Sequence, residues 1–309
     1  MERRGKYVAA LRWIMLVGLI AILCLAGVVI AAMRHQRSLQ FVVVEDDTGR
    51  ELRFLASPRR IVALDRAAAS LLKRLGREGL LIAASEELSY EYPWVENLGF
   101  VAGVTAERII GLRSDLVLLG GEQAALADTL RVVGINAFVL RPTTLAQLLS
   151  APERLGLIVQ ADDDALMLQR ELDEQLNQVS LPLENPPGVF LLAGPDLLAA
   201  GEGTLAHDLI ELVGGRNLAA HLTGWSECSL EEMAAAQPDL IIAPDDRIDE
   251  LIIDYFRILP SQIPEGGRRM PRFVILPDDF LDISWENIVA RARELRTRIT
   301  AITPDIQEP

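Results

Sequence analysis

The stretch TAERIIGLRSDLVLL, Thr105–Leu119, is followed 124 residues later by a second stretch with the same order of residue types, SLEEMAAAQPDLIIA, Ser229–Ala243. Each copy begins with a hydroxyl residue of the kind that caps helices and carries a glutamate two positions later, Glu107 and Glu231. Each then continues as a short helix, a turn and an apolar run typical of a buried strand. A unit repeated at this distance predicts two similar lobes.

Length and charge limit the class of protein. A chain of 309 residues is long enough for two domains with separate cores. The net charge is −14, and it becomes about −19 without residues 1–37, which carry six basic groups and one acidic group. Such a charge disfavours binding to nucleic acid or to anionic lipid. Of the two cysteines, Cys24 lies in an apolar segment and Cys228 stands alone beyond it, so no disulfide framework is expected.

The N-terminal region contains a candidate membrane segment. Residues 13–33 include no charged side chain and would span about 32 Å as a helix. The basic residues are biased to one side, with Arg3, Arg4, Lys6 and Arg12 before the segment and Arg34 and Arg37 after it. This bias predicts a single-pass membrane helix with a cytoplasmic N-terminus and an extracytoplasmic remainder. Two alternatives stay open: a signal peptide cleaved near Val29–Ala31, and a lipid attached at Cys24.

Residues 38–143 read as one α/β lobe. Two short β runs around Asp46-Asp47-Thr48-Gly49 predict a hairpin. Further strands are predicted at 60–64, 80–83 and 137–140, with a helix from about 67 to 75 that Gly76 ends. Strands that alternate with helices predict a parallel sheet.

Residues 144–181 contain no β run and have helical spacing, so they are predicted to form a connecting helix. Residues 182–309 repeat the plan of the first lobe. The expected order there is a strand at 189–193, a glycine-rich loop at 201–203, a helix at 204–213, the second copy of the repeat, a strand at 273–276 and a last helix at about 285–299.

Several short motifs in this order resemble a known family, the extracytoplasmic substrate-binding proteins of ABC importers for iron-siderophores, haem and cobalamin. The resemblance covers about residues 52–304. It rests on the two repeat copies and on the segments Pro58–Leu64, Leu75-Gly76, Tyr92-Pro93, Gly201–Thr204 and Leu212–Asn217. It implies two Rossmann-like α/β lobes joined by one long rigid helix, with the ligand held between the lobes.

The resemblance also implies partners and roles. The ligand would be a ferric siderophore, a corrinoid or haem, carried as cargo and not as an intrinsic cofactor, and the partner would be a two-subunit permease with its ATPase. Family members present one glutamate on each lobe to arginine pockets of the permease, which assigns docking to Glu107 and Glu231. One departure is that Ala67–Ser70 stands where family members usually have a polar Thr-Glu pair.

Candidate ligand contacts come from the loops that follow strands, since ligands of open α/β sheets bind beyond the carboxyl ends of the strands. The aromatic members would suit a broad macrocycle or chelator. The candidates are Asp65, Arg66, Tyr90, Tyr92 and Trp94 in the first lobe, and Trp225, Phe280 and Trp285 in the second. Asp245, Asp246 and the loop 120–122 also follow strands, and Gly201–Gly203 is interpreted as backbone room beside the cleft.

Structural alternatives accompany these candidates. The loop Tyr92–Trp94 could pack against its own lobe, Arg66 could form a surface ion pair, and Trp285 could cap the last helix. Tyr90 or Tyr92 could instead ligate a haem iron.

Catalytic and metal motifs are poorly represented in the sequence. Only His207 and His221 follow the apolar segment and its tether, and neither a Gly-x-Ser-x-Gly nor a His-Glu-x-x-His motif occurs. We therefore expect a binding protein with no metal site of its own. The alternatives are a membrane-anchored sensor or assembly factor of the same fold, and an extracytoplasmic enzyme acting on a metal tetrapyrrole.

Overall fold

The computed structural model describes residues 41–302 except 195, 197, 263–269 and 278, and at 245–247 and 260–262 it describes the backbone alone. The predicted membrane segment at residues 13–33 lies outside this range. Within the range, no helix combines the length and the apolar character that a membrane crossing requires.

A two-stranded sheet opens the described chain, as the sequence predicts. It consists of β1 (Val42–Glu45) and β2 (Glu51–Phe54). The Asp46 carboxylate closes the turn between them, because it accepts hydrogen bonds from Thr48 N at 2.9 Å and from Arg50 N at 3.1 Å. Gly49 adopts a φ of 77°, a conformation that glycine takes without steric cost.

The first lobe is built on a fully parallel five-stranded sheet in the order β5-β4-β3-β6-β7. Its strands are β3 (Ile61–Ala63), β4 (Leu81–Ala84), β5 (Glu96–Asn97), β6 (Leu116–Gly120) and β7 (Asn136–Leu140). Its helices are α1 (Arg66–Arg74), α2 (Glu86–Ser89), α3 (Ala106–Gly111) and α4 (Ala124–Val132). Every residue of β6 is buried, as expected for a central strand covered by helices on both faces.

The connector differs from the prediction of one long helix. It consists of two helices in contact, α5 (Leu145–Val159) and α6 (Asp162–Val179). The chain turns between them because Gln160 takes a left-handed conformation with φ 54°. Gly156 allows the close approach, since a Cβ there would lie 2.6 Å from Ala165 Cβ.

The connector also contacts both lobes. At the start of α5, Leu145 N donates to the Asp208 carboxylate of the second lobe at 2.6 Å. At its end, Arg77 of the first lobe donates to Gln160 O at 2.8 Å. Helix α5 therefore runs from the second lobe to the first, and α6 returns to the second lobe, where Leu172 and Leu176 join the core.

The second lobe has a six-stranded sheet that is mixed, in the order β11-β9-β8-β12-β13, with β10 pairing β8. Its strands are β8 (Gly188–Ala193), β9 (Leu198–Ala200), β10 (Arg216–Asn217), β11 (Trp225–Ser226), β12 (Leu240–Ala243) and β13 (Arg272–Ile275). Strands β9 and β11 run antiparallel to their partners, which the sequence did not predict. Its helices are α7 (Leu205–Leu212), α8 (Leu230–Ala235), α9 (Asp245–Gln262) and α10 (Ile288–Thr300).

The repeated stretch forms the same unit in both lobes. It gives α3 and β6 in the first lobe and α8 and β12 in the second, and both strands lie beside the opening strand of their lobe. The aspartate before each strand also has the same role. Asp115 accepts from Arg59 N and Arg60 N at 2.8 and 3.0 Å, and Asp239 accepts from Gly188 N at 2.7 Å. Each carboxylate thus holds the start of the neighbouring strand.

We expect Asp115→Ala and Asp239→Ala each to lower the free energy of unfolding by about 1–3 kcal/mol, because backbone amides lose a charged acceptor. Asp173→Ala is the control, since Asp173 is exposed within α6 and makes no such bond in the described structure. Denaturant unfolding at neutral pH measures the difference. A loss no larger than that of the control would show that the two clamps do not contribute to stability.

Candidate functional site

Asp65 lies at the carboxyl end of the central strand β3 and begins α1. Its side chain accepts from Ala68 N at 2.8 Å, which satisfies the first turn of the helix. The carboxylate lies so close to Gly120 that a Cβ there would be 2.7 Å from Asp65 Oδ2. Burial raises the pKa of Asp65, and the charge of Asp282 in the second lobe raises it further. Because the pKa is raised on folding, the ionised form of Asp65 opposes folding at neutral pH, and this cost falls as the pH falls toward the folded pKa.

A segment of the second lobe lies along helix α1. The Ser70 hydroxyl donates to the Glu286 carboxylate, and the Arg74 guanidinium lies 5.4 Å from the centre of the Trp285 ring. Arg74 also pairs with Glu171 of α6 at 2.8 Å. The first lobe, the connector and the second lobe therefore meet at α1.

A cavity of about 260 Å³ lies at this meeting point. Its lining residues are Arg74, Glu171, Leu172, Gln175, Trp285, Glu286 and Val289. The Trp285 Nε1 atom is buried and donates to no group in the described part of the chain. An unpaired buried donor costs about 1–3 kcal/mol. Trp285 also packs against the core of the second lobe, which agrees with its helix-capping alternative.

Two predicted aromatic contacts lie inside their lobes. Phe280 is 1% exposed, with the Arg291 guanidinium 5.5 Å from its ring centre. Tyr92 is also 1% exposed, and its hydroxyl donates to Ala69 O at 3.4 Å. Tyr92 is therefore closed to a ligand in this structure, whereas Phe280 lines a small cavity of about 50 Å³ at the carboxyl ends of β8 and β12. Burial raises the pKa of the Tyr92 phenol and disfavours the phenolate that would ligate iron.

The other predicted aromatic residues remain accessible. Tyr90 is 77% exposed and Trp94 is 56% exposed, and the Trp94 ring meets the Tyr92 ring edge to face at 5.6 Å. Trp225, on β11, is 38% exposed. The loop-packing alternative therefore describes Tyr92, whereas Trp94 packs on it and still presents a surface.

Charged side chains at the strand ends are mostly acidic. Arg66 pairs with Glu91, as its ion-pair alternative predicts. Four carboxylates at or beside these ends form no ion pair within the described structure: Asp65, Glu122, Asp282 and Glu286. Arg141, which was not among the predicted site residues, follows β7 and passes over Gly121, where a Cβ would lie 2.2 Å from Arg141 Cδ. The strand-end rule that selected Asp65 also applies to Arg141. The side chains of Asp245 and Asp246 lie outside the described structure.

The glycine-rich loop Gly201–Gly203 does not provide room for a ligand. The backbone of residues 222–224 occupies that space, since Glu202 N donates to Leu222 O at 2.8 Å and Gly201 N donates to Gly224 O at 2.9 Å. Glycine is required at residue 201 because the protein's own backbone at residues 222–224 lies against it, and not because a ligand does.

The two docking candidates are exposed at the first turns of α3 and α8. A hydrogen bond from its own backbone N–H, followed by one from the Thr105 hydroxyl, lowers the pKa of Glu107. Thr105 therefore donates to Glu107 and does not accept from the helix, contrary to its predicted capping role. In the second copy Ser229 caps the helix as predicted, within a capping box: Ser229 Oγ accepts from Glu232 N at 3.2 Å, and Glu232 accepts from Ser229 N at 3.0 Å. Glu231 takes no part in it.

The Cys228 thiol is a poor candidate for a nucleophile. Burial, with a smaller contribution from Glu232, raises the pKa of this thiol to about 11. The thiol therefore stays protonated at neutral pH.

The known proteins that this chain resembles are substrate-binding or ligand-binding proteins. Residues 61–251 match the profile of a family described as periplasmic binding protein. The chain is 23% identical over 218 residues to an uncharacterized ABC transporter substrate-binding lipoprotein of Bacillus subtilis (strain 168), covering 66% of this chain and 69% of that protein. It is 23% identical over 257 residues to the vitamin B12-binding protein of Yersinia pestis (strain Pestoides F), covering 81% and 89%.

A solved structure shares the fold. The periplasmic haem-binding protein of Vibrio cholerae superimposes with a TM-score of 0.58 at 22% identity, covering 77% of this chain and 98% of that one.

Proposed function

The chain belongs to the periplasmic binding protein family, and on that premise we propose that it is the solute-binding subunit of an ABC importer. Residues 13–33 hold it at the outer face of the cell membrane. It captures a metal chelate between its lobes and delivers the chelate to a two-subunit permease driven by an ATPase.

The observation that carries this proposal is the position of Glu107 and Glu231. Both lie in the first turn of the equivalent short helix of each lobe, both are exposed, and neither forms an ion pair within the described structure. Local structure accounts for Glu107 through its hydrogen bonds at the helix start. It does not account for Glu231, because Glu232 completes the capping box. Two similar subunits of a permease would give both glutamates the same partner.

The charge of the strand ends indicates the class of ligand. Asp65 of the first lobe and Asp282 of the second form no ion pair within the described part of the chain, and their charges repel an anionic ligand. A neutral or cationic chelate avoids this cost, and the exposed rings of Tyr90, Trp94 and Trp225 suit a broad apolar face. Among the expected ligands, a corrinoid with uncharged amide groups fits better than haem, whose propionates are anionic.

Calorimetry of the full chain in phosphatidylcholine nanodiscs tests the ligand. We expect cobalamin to bind at least about tenfold more tightly than haem, because haem brings negative charge toward Asp65 and Asp282. In the double variant Asp65→Asn with Asp282→Asn, the ratio of cobalamin affinity to haem affinity should fall about threefold or more. Haem should bind more tightly, while the affinity for cobalamin stays nearly constant. Asp173→Asn is the matched control on α6. Tighter binding of haem than of cobalamin by the natural chain would contradict the assignment.

A second candidate function is a fixed sensor of the same fold. It is favoured by the contact of Ser70 with Glu286, which places a second-lobe carboxylate where family members have a ligand-facing polar pair. A sensor would bind the chelate without supporting uptake. Uptake by cells that carry the natural chain therefore separates the two functions.

A further inference from the structure

The hairpin β1–β2 carries large apolar side chains on its outward side. Burial alternates along both strands, with Val44, Leu52 and Phe54 inward. The outward residues nearest the open end are Phe41, Val43 and Leu55, which are 60%, 50% and 67% exposed. We call these three residues the hairpin face. Solvated strand faces are normally polar, so this one has the composition of a contact surface.

The two ends of the same side of the hairpin differ in character. Near the turn the outward residues are Glu45 and Glu51, both exposed acids. Near the open end the hairpin face is apolar, and Arg53 lies beside it. An apolar end next to an acidic end suits a boundary between apolar and aqueous phases.

The length of the preceding chain limits what can lie beside the hairpin face. Seven residues, 34–40, separate the uncharged segment 13–33 from Phe41. Fully extended, the eight steps from Met33 to Phe41 reach at most about 28 Å. If residues 13–33 span the membrane, the open end of the hairpin stays within that distance of the bilayer surface.

We propose that the hairpin face lies on the lipid bilayer beside the anchor, with Phe41, Val43 and Leu55 in the interfacial layer. The proposal rests on the membrane anchor of the proposed function. The contact is apolar, and the acidic charge of the rest of the chain favours zwitterionic over anionic lipid.

Lipid quenching in the full chain tests this contact. A single cysteine, Leu55→Cys in a Cys24→Ala and Cys228→Ala background, carries an environment-sensitive fluorophore. The protein is placed in phosphatidylcholine nanodiscs holding one copy each, with or without bromine on the acyl chains. We expect bromine to quench the label at least about twofold. The control is Val132→Cys at the end of α4, an apolar site that is 85% exposed, where bromine should have no effect.

A second variant separates contact from proximity. Adding Phe41→Ser and Val43→Ser to the labelled chain should reduce the quenching by about half or more with an unchanged circular dichroism spectrum, because the remaining face is too polar to stay in the interface. Quenching at residue 55 equal to that at residue 132 would overturn the proposal. So would a label shielded from water but insensitive to bromine, since protein would then cover the face. Flotation after a high-salt wash reports the anchor separately, so its failure is distinguished from failure of the contact.

Discussion

Reversing both docking charges, Glu107→Arg with Glu231→Arg, is expected to reduce uptake of the ligand about a hundredfold or more. Charged pairs at an interface, when broken, cost about 2–5 kcal/mol each and also slow encounter. Stability should fall only by about 0.3–1 kcal/mol per site, the value of a charge at the start of a helix. Affinity for the chelate should not change, since neither residue is at the strand ends of the candidate site. Uptake in reconstituted vesicles and calorimetry measure the two quantities.

The control for this variant is Glu153→Arg with Glu174→Arg, which changes the net charge equally on exposed sites of the connector. It should transport normally. Normal uptake by the Glu107 and Glu231 variant would leave Glu107 as a helix-start residue and Glu231 without a role in docking. Absence of uptake by the natural chain, with chelate binding intact, would favour the sensor.

Gly201→Ala is expected to lower the free energy of unfolding by about 3 kcal/mol, because overpacking and lost backbone hydrogen bonds act together. A Cβ at residue 201 would lie 2.5 Å from Leu222 O and 2.8 Å from Gly224 O, and neither backbone atom can rotate away. The shift would also disturb the pairing of β11 with β9 at Trp225. Thermal unfolding and the tryptophan emission spectrum measure the effect.

Gly111→Ala provides the matched control. Gly111 ends α3, a Cβ there would meet no atom within 4 Å, and its φ is not positive. Alanine at this position should be neutral or stabilising by up to about 1 kcal/mol. If Gly201→Ala and Gly111→Ala have the same free energy of unfolding, the close backbone approach at residue 201 does not require glycine there.

The parts of the fold that depend on the pattern of neighbouring residues could be predicted from the sequence. The two repeat copies each have a cap, an amphipathic turn and an apolar run, and these patterns act within a few residues. Helix α9 was missed because Asp245 and Asp246 were assigned to a loop after β12, although a helix starts there. The antiparallel pairing of β9 and β11 was missed for another reason. Short strands such as Trp225–Ser226 are defined by their partners and not by their own sequence.

The candidate site was less predictable because exposure depends on packing between distant segments. Tyr92 and Trp94 are two positions apart and equally aromatic, yet the Tyr92 ring is buried and Trp94 presents a surface. Likewise, no local signal links Ser70 to Glu286, which are 216 positions apart. Arg141 could have been found, since it directly follows a predicted strand.

The two-helix connector has a consequence for how the protein unfolds. Leu148 of α5 and Leu172 and Leu176 of α6 belong to the core of the second lobe, while Arg77 fixes the turn between the helices to the first. Melting the second lobe would therefore remove the packing of both helices, and melting the first would release the turn that joins them. The two lobes should behave as one cooperative folding unit, and a ligand that binds between them would protect both lobes against proteolysis, including surfaces far from the ligand.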